Sequence, residues 1–234
     1  MNFWRMTMLN VALDGPSGAG KSTAAKAAAI KKGLNYVDTG ALYRAVGYVL
    51  AGSGVDLEDE TQVAQQVPQL KVRLYYEEDG QHVSVNGEDV TPYLRTAQAG
   101  MGASKVAVHG CVRELLLEIQ RQAGREYDVI MDGRDIGTNV LPSADLKIYI
   151  TASAEERGRR RYGELEKNGT LDKTLEEIIA EINERDYRDM NREIAPLKQA
   201  EDAVLLDTTE MNLEEVVEAV CRLIDEARAA KESL

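Results

Sequence analysis

The sequence predicts an α/β protein with a five-stranded parallel sheet flanked by helices and a small antiparallel β insert. Two observations carry that expectation. Short apolar runs bounded by turn residues alternate with segments of helical periodicity, the pattern of βαβ units. The runs over 10–14, 35–38, 127–132, 146–150 and 203–207 supply five strands, the last three of buried type. In the middle of the chain the pattern changes to two strand-like runs, 70–76 and 82–86, around the turn "EEDG" and before a second turn, "NGED". That change predicts an antiparallel insert over about 68–95.

The helices fill the gaps. Residues 21–30 are rich in Ala and Lys, and 41–50 form a second helical segment. Residues 58–67 are an acidic, exposed candidate. Over 113–122 the periodicity puts Val112, Leu115, Leu116 and Ile119 on one face, and a closing helix spans 213–229. Without repeats or a low-complexity linker, residues 1–234 read as one domain.

Composition narrows the function classes. The chain has one Phe and one Trp against ten Tyr, so aliphatic side chains must dominate the core. A formal net charge of −12 argues against sequence-independent nucleic-acid binding, which needs a basic face, although local arginine clusters can still hold a small anion. Cys111 and Cys221 lie far apart and read as reduced core thiols in a cytoplasmic protein. His82 and His109 have no ligand neighbours at metal spacing and read as surface or turn residues. The N-terminal stretch has no 18-residue apolar run, which fits neither a signal peptide nor a membrane span.

Gly15-Pro16-Ser17-Gly18-Ala19-Gly20-Lys21-Ser22, followed by Thr23, fits G-x-x-x-x-G-K-[ST] at every position, after a strand and before a helix. Glycines let backbone N–H groups turn inward as an anion nest at a helix N-terminus. Lys21 can reach the β- and γ-phosphates of a nucleoside triphosphate, and the Ser22 hydroxyl can ligate Mg²⁺. A GTPase needs an N-K-x-D segment. The nearest piece here, "EKNG" around Asn168, lacks the aspartate.

Separate arginine clusters suit transfer between two phosphorylated molecules, whose mutual repulsion must be neutralised. In "YVDTGALYR", Thr39 either caps the following helix or offers its hydroxyl to a ligand, and Arg44 lies one turn in. In "DVIMDGRDIGT", Asp132 ends an apolar strand where its carboxylate can support Mg²⁺. Arg134 and Asp135 then stand over the strand ends, as cleft residues or as a salt bridge. Ser153 and Glu156 have capping-box spacing, and Arg157, Arg160 and Arg161 share one helical face. These arginines either pair with neighbouring glutamates or form a lid that closes on a phosphoryl group. Ile178, Ile182, Arg185, Asp189 and Arg192 form one stripe, apolar at its start and charged at its end, and Pro196 marks the end of that helix.

Taken together, "DGPSGAGKST", "DTGALYR", "LRTAQAGMGASKVA", "VRELLLEIQR", "MDGRDIGT", "ERDYRDMNR" and "APL" resemble, in order, the bacterial cytidylate kinases among the nucleoside monophosphate kinases. The resemblance implies a P-loop kinase fold with ATP and Mg²⁺ on the 15–23 loop and a short helical lid over about 153–170. It implies a CMP or dCMP acceptor on Thr39, Arg44, Ser104, Arg113, Arg134, Asp135, Arg185, Asp189 and Arg192. Thr39 stands where the family often has Ser. Catalysis would fall to Lys21, Arg134, Arg157, Arg161 and Arg185. The setting implied is a cytoplasmic monomer of pyrimidine metabolism without nucleic-acid or membrane partners. Chemistry supports the base preference: an ionised Asp135 can accept from the cytosine amino group while Arg113 donates to the ring nitrogen or carbonyl. Uracil would leave those polar groups mispaired. Two rivals share the loop: a kinase with another small acceptor, and a nucleotide-binding regulator without turnover. The extension before Asn10, with Phe3 and Trp4, has no assigned role.

Overall fold

The computed structural model describes residues 8–233, so the extension with Phe3 and Trp4 lies outside the described residues. Two compact units emerge: one holds the chain up to Asn35 and from Tyr127 onward, the other Tyr36–Glu126.

The first unit is built on β1 (Asn10–Asp14), β6 (Val129–Asp132), β7 (Leu146–Thr151) and β8 (Val204–Asp207). With β2 (Asn35–Asp38), the strand through which the chain leaves this unit, they form one sheet in the order β2-β6-β1-β7-β8. β1 is central: Val11 registers with Ile130 on one side and Leu146 on the other, both parallel. Val11, Leu13, Ile130, Met131, Ile148 and Ile150 are fully buried, as continuous apolar runs in a two-sided parallel sheet require. Helix α1 (Lys21–Lys32) packs on α8 (Leu213–Glu232), with Ala24, Ala25 and Ala28 allowing close approach to the layer that buries Val220 and Ile224. Helices α6 (Ala154–Lys167) and α7 (Leu175–Asn191) pack together on the same unit.

β8 departs from the expectation of a buried strand. It lies at the sheet edge and pairs with β7, and Val204 and Leu205 are exposed. Apolar composition marks a strand but not its place in the order. The helix C-terminal to Thr174 also stops at Asn191, short of Pro196, with Arg192 as its C-cap.

The second unit packs α2 (Thr39–Gly52), α3 (Glu60–Gln66), α4 (Ala97–Val106) and α5 (Gly110–Glu126) with a three-stranded antiparallel sheet. That sheet, β3 (Val72–Glu77), β4 (Gly80–Val85) and β5 (Glu88–Asp89), is the expected insert with one short strand more. Leu42, Val46, Leu50, Val63, Val83, Val106 and Leu116 form its core. Of the two histidines read as surface or turn residues, His109 does stand at the turn between α4 and α5, although buried, while His82 lies within β4 with its side chain largely covered. His109 is buried and donates from Nε2 to the Leu57 carbonyl at 2.8 Å, while His82 is held between Asp79 (2.7 Å) and Asp89 (2.9 Å). Cys111 is half-buried and Cys221 buried, both as free thiols. Among the described residues, no helix is long and apolar enough to cross a membrane.

Helices α2 and α4 cross at Gly47 and Gly102. A Cβ on Gly47 would lie 2.8 Å from the Gly102 carbonyl carbon and 3.0 Å from its oxygen, so rigid backbone would have to move. A Cβ on Gly102 would meet ordinary contacts, the nearest being Leu57 Cδ1 at 3.5 Å. Gly47→Ala is therefore expected to cost about 1–3 kcal/mol of stability, and Gly102→Ala less than about 1 kcal/mol. Equal losses in urea unfolding of the two variants would contradict this packing.

Candidate active site

The 15–23 loop joins β1 to α1, and its backbone can exist only with glycine at its start. Gly15 has φ +145°, and a Cβ there would stand 1.9 Å from the Ile150 carbonyl oxygen of β7. Gly20 caps α1 in the left-handed region at φ 80°, which turns the first helical N–H groups toward the loop. Lys21 is buried and donates to the Pro16 carbonyl at 2.6 Å, folding across its own loop. Ser22 is exposed, and its hydroxyl donates to Asp132 Oδ2 at 2.5 Å, joining the first helical turn to the end of β6. An exposed hydroxyl beside a buried carboxylate is the oxygen donor set that a hard divalent cation takes, so these residues fit Mg²⁺.

The turn after β6 and the charged end of α7 meet in two ion pairs. Arg134 donates from Nε to Asp189 at 2.8 Å, and Arg192 from Nη2 to Asp135 Oδ1 at 2.9 Å. Asn139 donates to the other Asp135 oxygen at 3.0 Å. Arg192 is further fixed by the Ala195 carbonyl at 2.7 Å, and Ala195 is held at φ 49°, an unusual backbone for a residue with a Cβ. Arg134 and Arg185 lie close enough to Lys21 to disfavour its charge. Burial above all, and then Arg134, push the Lys21 ammonium well below its ordinary pKa; Asp132 and Asp14 oppose them, and Arg185 adds to the depression. A cluster of cations around a buried lysine favours an arriving anion.

The arginines of α6 do not share one environment. Arg157 is buried, donating from Nε to the Ala152 carbonyl (2.9 Å) and from Nη1 to the Ser17 carbonyl (2.8 Å) and Asp186 (2.5 Å). Arg160 binds Glu156 at 3.0 Å and the Thr208 carbonyl at 2.6 Å, and its Nη1 lies 3.8 Å from where a Gly20 Cβ would be. Arg161 is exposed and pairs with Glu164 at 2.7 Å. The expected capping box is half-formed. Ser153 accepts from the Glu156 N–H, but the Glu156 carboxylate is occupied by Arg159 and Arg160. Reciprocal boxes occur instead at Thr174–Glu177 and Asn212–Glu215.

In the second unit, Asp38, not Thr39, is the N-cap of α2: it accepts from the Ala41 N–H and binds Arg44 at 2.5 Å. Thr39 is the first helical residue and is buried. Gln81 of the insert grips the same turn, accepting from the Asp38 N–H (2.7 Å) and donating to its carbonyl (3.1 Å). Arg113 is buried, with its guanidinium carbon 5.6 Å from the Tyr43 ring centroid, and Ser104 donates to the Gly100 carbonyl at 3.4 Å.

Two site residues escaped the sequence reading. Asp186 binds the Ser17 N–H at 2.9 Å; its signal was its place four residues after Ile182 on the buried stripe. Asp14 ends β1 and accepts from the Ile136 and Gly137 N–H groups, both at 2.8 Å, which anchors the turn that carries Arg134 and Asp135. Burial raises the Asp14 pKa to about 6 against the pull of those two N–H groups, with Asp135 raising and Lys21 lowering it. Because the folded value exceeds the ordinary one, the folded state binds the extra proton between about pH 4 and pH 6. Asp14 therefore adds stability at acidic pH that is lost as pH rises through about 6, a change of about 3 kcal/mol at most. The stability difference between wild type and Asp14→Asn is expected to shift toward the variant across that window. A difference independent of pH from 4 to 7 would refute the shift.

The cytidylate kinase family model matches residues 11–226. A cytidylate kinase from Exiguobacterium sp. is 48% identical over 221 residues, covering 94% of this chain and 98% of that one. The cytidylate kinase of Bacillus subtilis is 45% identical over 218 residues, covering 93% and 97%. Among solved structures, an uncharacterized protein from Eubacterium ventriosum aligns over 93% of this chain and 99% of its own at TM-score 0.52 and 10% identity, a likeness of fold alone. The chain thus belongs to the cytidylate kinase family, enzymes that transfer a phosphoryl group from ATP to CMP or dCMP.

Proposed function

We propose that ATP binds on the 15–23 loop and that its γ-phosphoryl group passes in line to a phosphate oxygen of CMP or dCMP, giving ADP and CDP or dCDP. The observation that carries this reading is the convergence of Lys21, Arg134 and Arg185 beside the loop, next to the Asp135–Arg192 pair. The acceptor oxygen is already ionised, so the chemistry needs no protein base or covalent intermediate. Positioning and charge neutralisation suffice. Lys21 and the loop N–H groups hold the β- and γ-phosphates, and Arg134 and Arg185 draw the two phosphate groups together. Ser22 and Asp132 would hold Mg²⁺, which would supply charge neutralisation at the phosphates. Arg161 exchanges its exposed partner Glu164 for the transferring group, an inexpensive change because such surface pairs contribute about 0–1 kcal/mol.

Asp135 reads the cytosine amino group, and Asp189 and Arg192 fix the acceptor's orientation. In the second unit the acceptor candidates are Thr39, Arg44, Ser104 and Arg113. Two free thiols and a net charge of −12 support a cytoplasmic monomer that engages neither nucleic acid nor membrane.

ADP release from ATP–Mg²⁺ with CMP, dCMP, UMP, AMP and GMP offered separately tests the reading. Fast turnover is expected with CMP and dCMP, and little with AMP or GMP; ATP binding that no monophosphate converts to turnover would sink it. Lys21→Ala should lower kcat/KM by about 10²–10³-fold or more while the fold persists. Asp135→Ala should narrow the preference for CMP over UMP by about tenfold or more. Unchanged selectivity in that variant would remove Asp135 from base reading.

A further inference from the structure

Ser17, at the outer turn of the donor loop, is held on both sides of its peptide. Its N–H donates to Asp186 Oδ1 at 2.9 Å, and its carbonyl accepts from Arg157 Nη1 at 2.8 Å. The same Nη1 reaches Asp186 Oδ2 at 2.5 Å, which closes a ring of three groups. Both side chains are buried, with 7% and 8% exposure, and a Cβ on neighbouring Gly18 would already lie 3.3 Å from Arg157 Cβ. Arg157 thus commits Nε and Nη1 to the Ala152 and Ser17 carbonyls and to Asp186.

We propose that Arg157 and Asp186 are positioning residues that clamp the donor loop to α7 and thereby couple ATP binding to acceptor binding, an inference that rests on the donor and acceptor roles given above. The coupling follows from helical spacing. Asp186, Asp189 and Arg192 succeed one another at intervals of three on α7 and its C-cap, and they bind Ser17, Arg134 and Asp135 in turn. One rigid helix thus fixes the donor loop at one point and the acceptor turn at two. An acceptor that shifts the Asp189 and Arg192 end carries Asp186, and with it Ser17, along.

The test is the affinity of a non-hydrolysable ATP analogue with and without CMP, alongside KM for each substrate. In wild type, CMP is expected to tighten analogue binding several-fold. In Asp186→Asn the enhancement should fall to about one, with KM for ATP raised roughly tenfold and the affinity for CMP alone within about twofold of wild type. Because a lone buried Arg157 can unfold the unit, the paired change Arg157→Met with Asp186→Leu removes the clamp without leaving a buried charge. Loss of enhancement in the paired variant supports the clamp. Wild-type enhancement and KM for ATP in that variant, or no enhancement in wild type, overturns it. Failure of CMP and dCMP to support wild-type turnover instead sinks the functional reading, while the analogue affinity of the paired variant still decides whether the clamp holds the loop.

Discussion

Carboxylates at the ends of parallel strands are the constraint on which the loops of this protein depend. β1, β2, β6 and β8 each end in aspartate, and each of these carboxylates takes up donors from a turn or the start of a helix beside the strand ends. Asp14 holds two N–H groups of the turn after β6, Asp132 receives the Ser22 hydroxyl, and Asp207 accepts from Thr209 through both N–H and hydroxyl. In the second unit, Asp38 caps α2 and binds Arg44. Loops that approach phosphate must present their N–H groups and cations outward, and the strand-end acids fix the rest of each loop so that this is possible.

Carboxylates, at strand ends and beyond them, also explain how the cations can stand together. Lys21 is buried, and burial with Arg134 beside it disfavours its charge, while Asp132 and Asp14 oppose that effect. Arg134 and Arg192 are tied to Asp189 and Asp135, so the cationic surface is already organised before any ligand arrives. Preorganised charge of this kind costs no rearrangement when an anion arrives. A local cluster of cations is also compatible with anionic substrates despite a net charge of −12, because the local field need not follow the overall balance.

Much of this was legible in the sequence because it lies in local pattern. Strands β1 and β2 fall where turn-bounded apolar runs put them, and the phosphate loop was readable from glycine spacing between a strand and a helix. The stripe through Ile178 and Ile182 to Arg185, Asp189 and Arg192 is a helical period, and its apolar end is buried. What escaped was set by tertiary partners. Glu156 had the spacing of a capping residue, yet two arginines of its own helix claimed its carboxylate. Asp38 outcompeted Thr39 for the cap because the β-region backbone falls one residue earlier. Sheet order, and so the exposure of β8, is absent from any single strand's composition.

Arg157 shows where pattern reading stops. On sequence it belongs with Arg160 and Arg161, three like charges on one face, and periodicity makes no distinction among them. In the structure, exposure and partners separate them: Arg157 is buried on Ser17 and Asp186, Arg160 is anchored at Thr208, and Arg161 faces solvent beside Glu164. A buried guanidinium whose Nε and Nη1 are committed to backbone carbonyls and a carboxylate cannot swing away without leaving those partners uncompensated, a penalty of several kcal/mol. An exposed one can leave its partner at almost no cost. One helix face therefore carries both a buried guanidinium tied to the 15–23 loop and an exposed one paired with Glu164, and burial is what separates them.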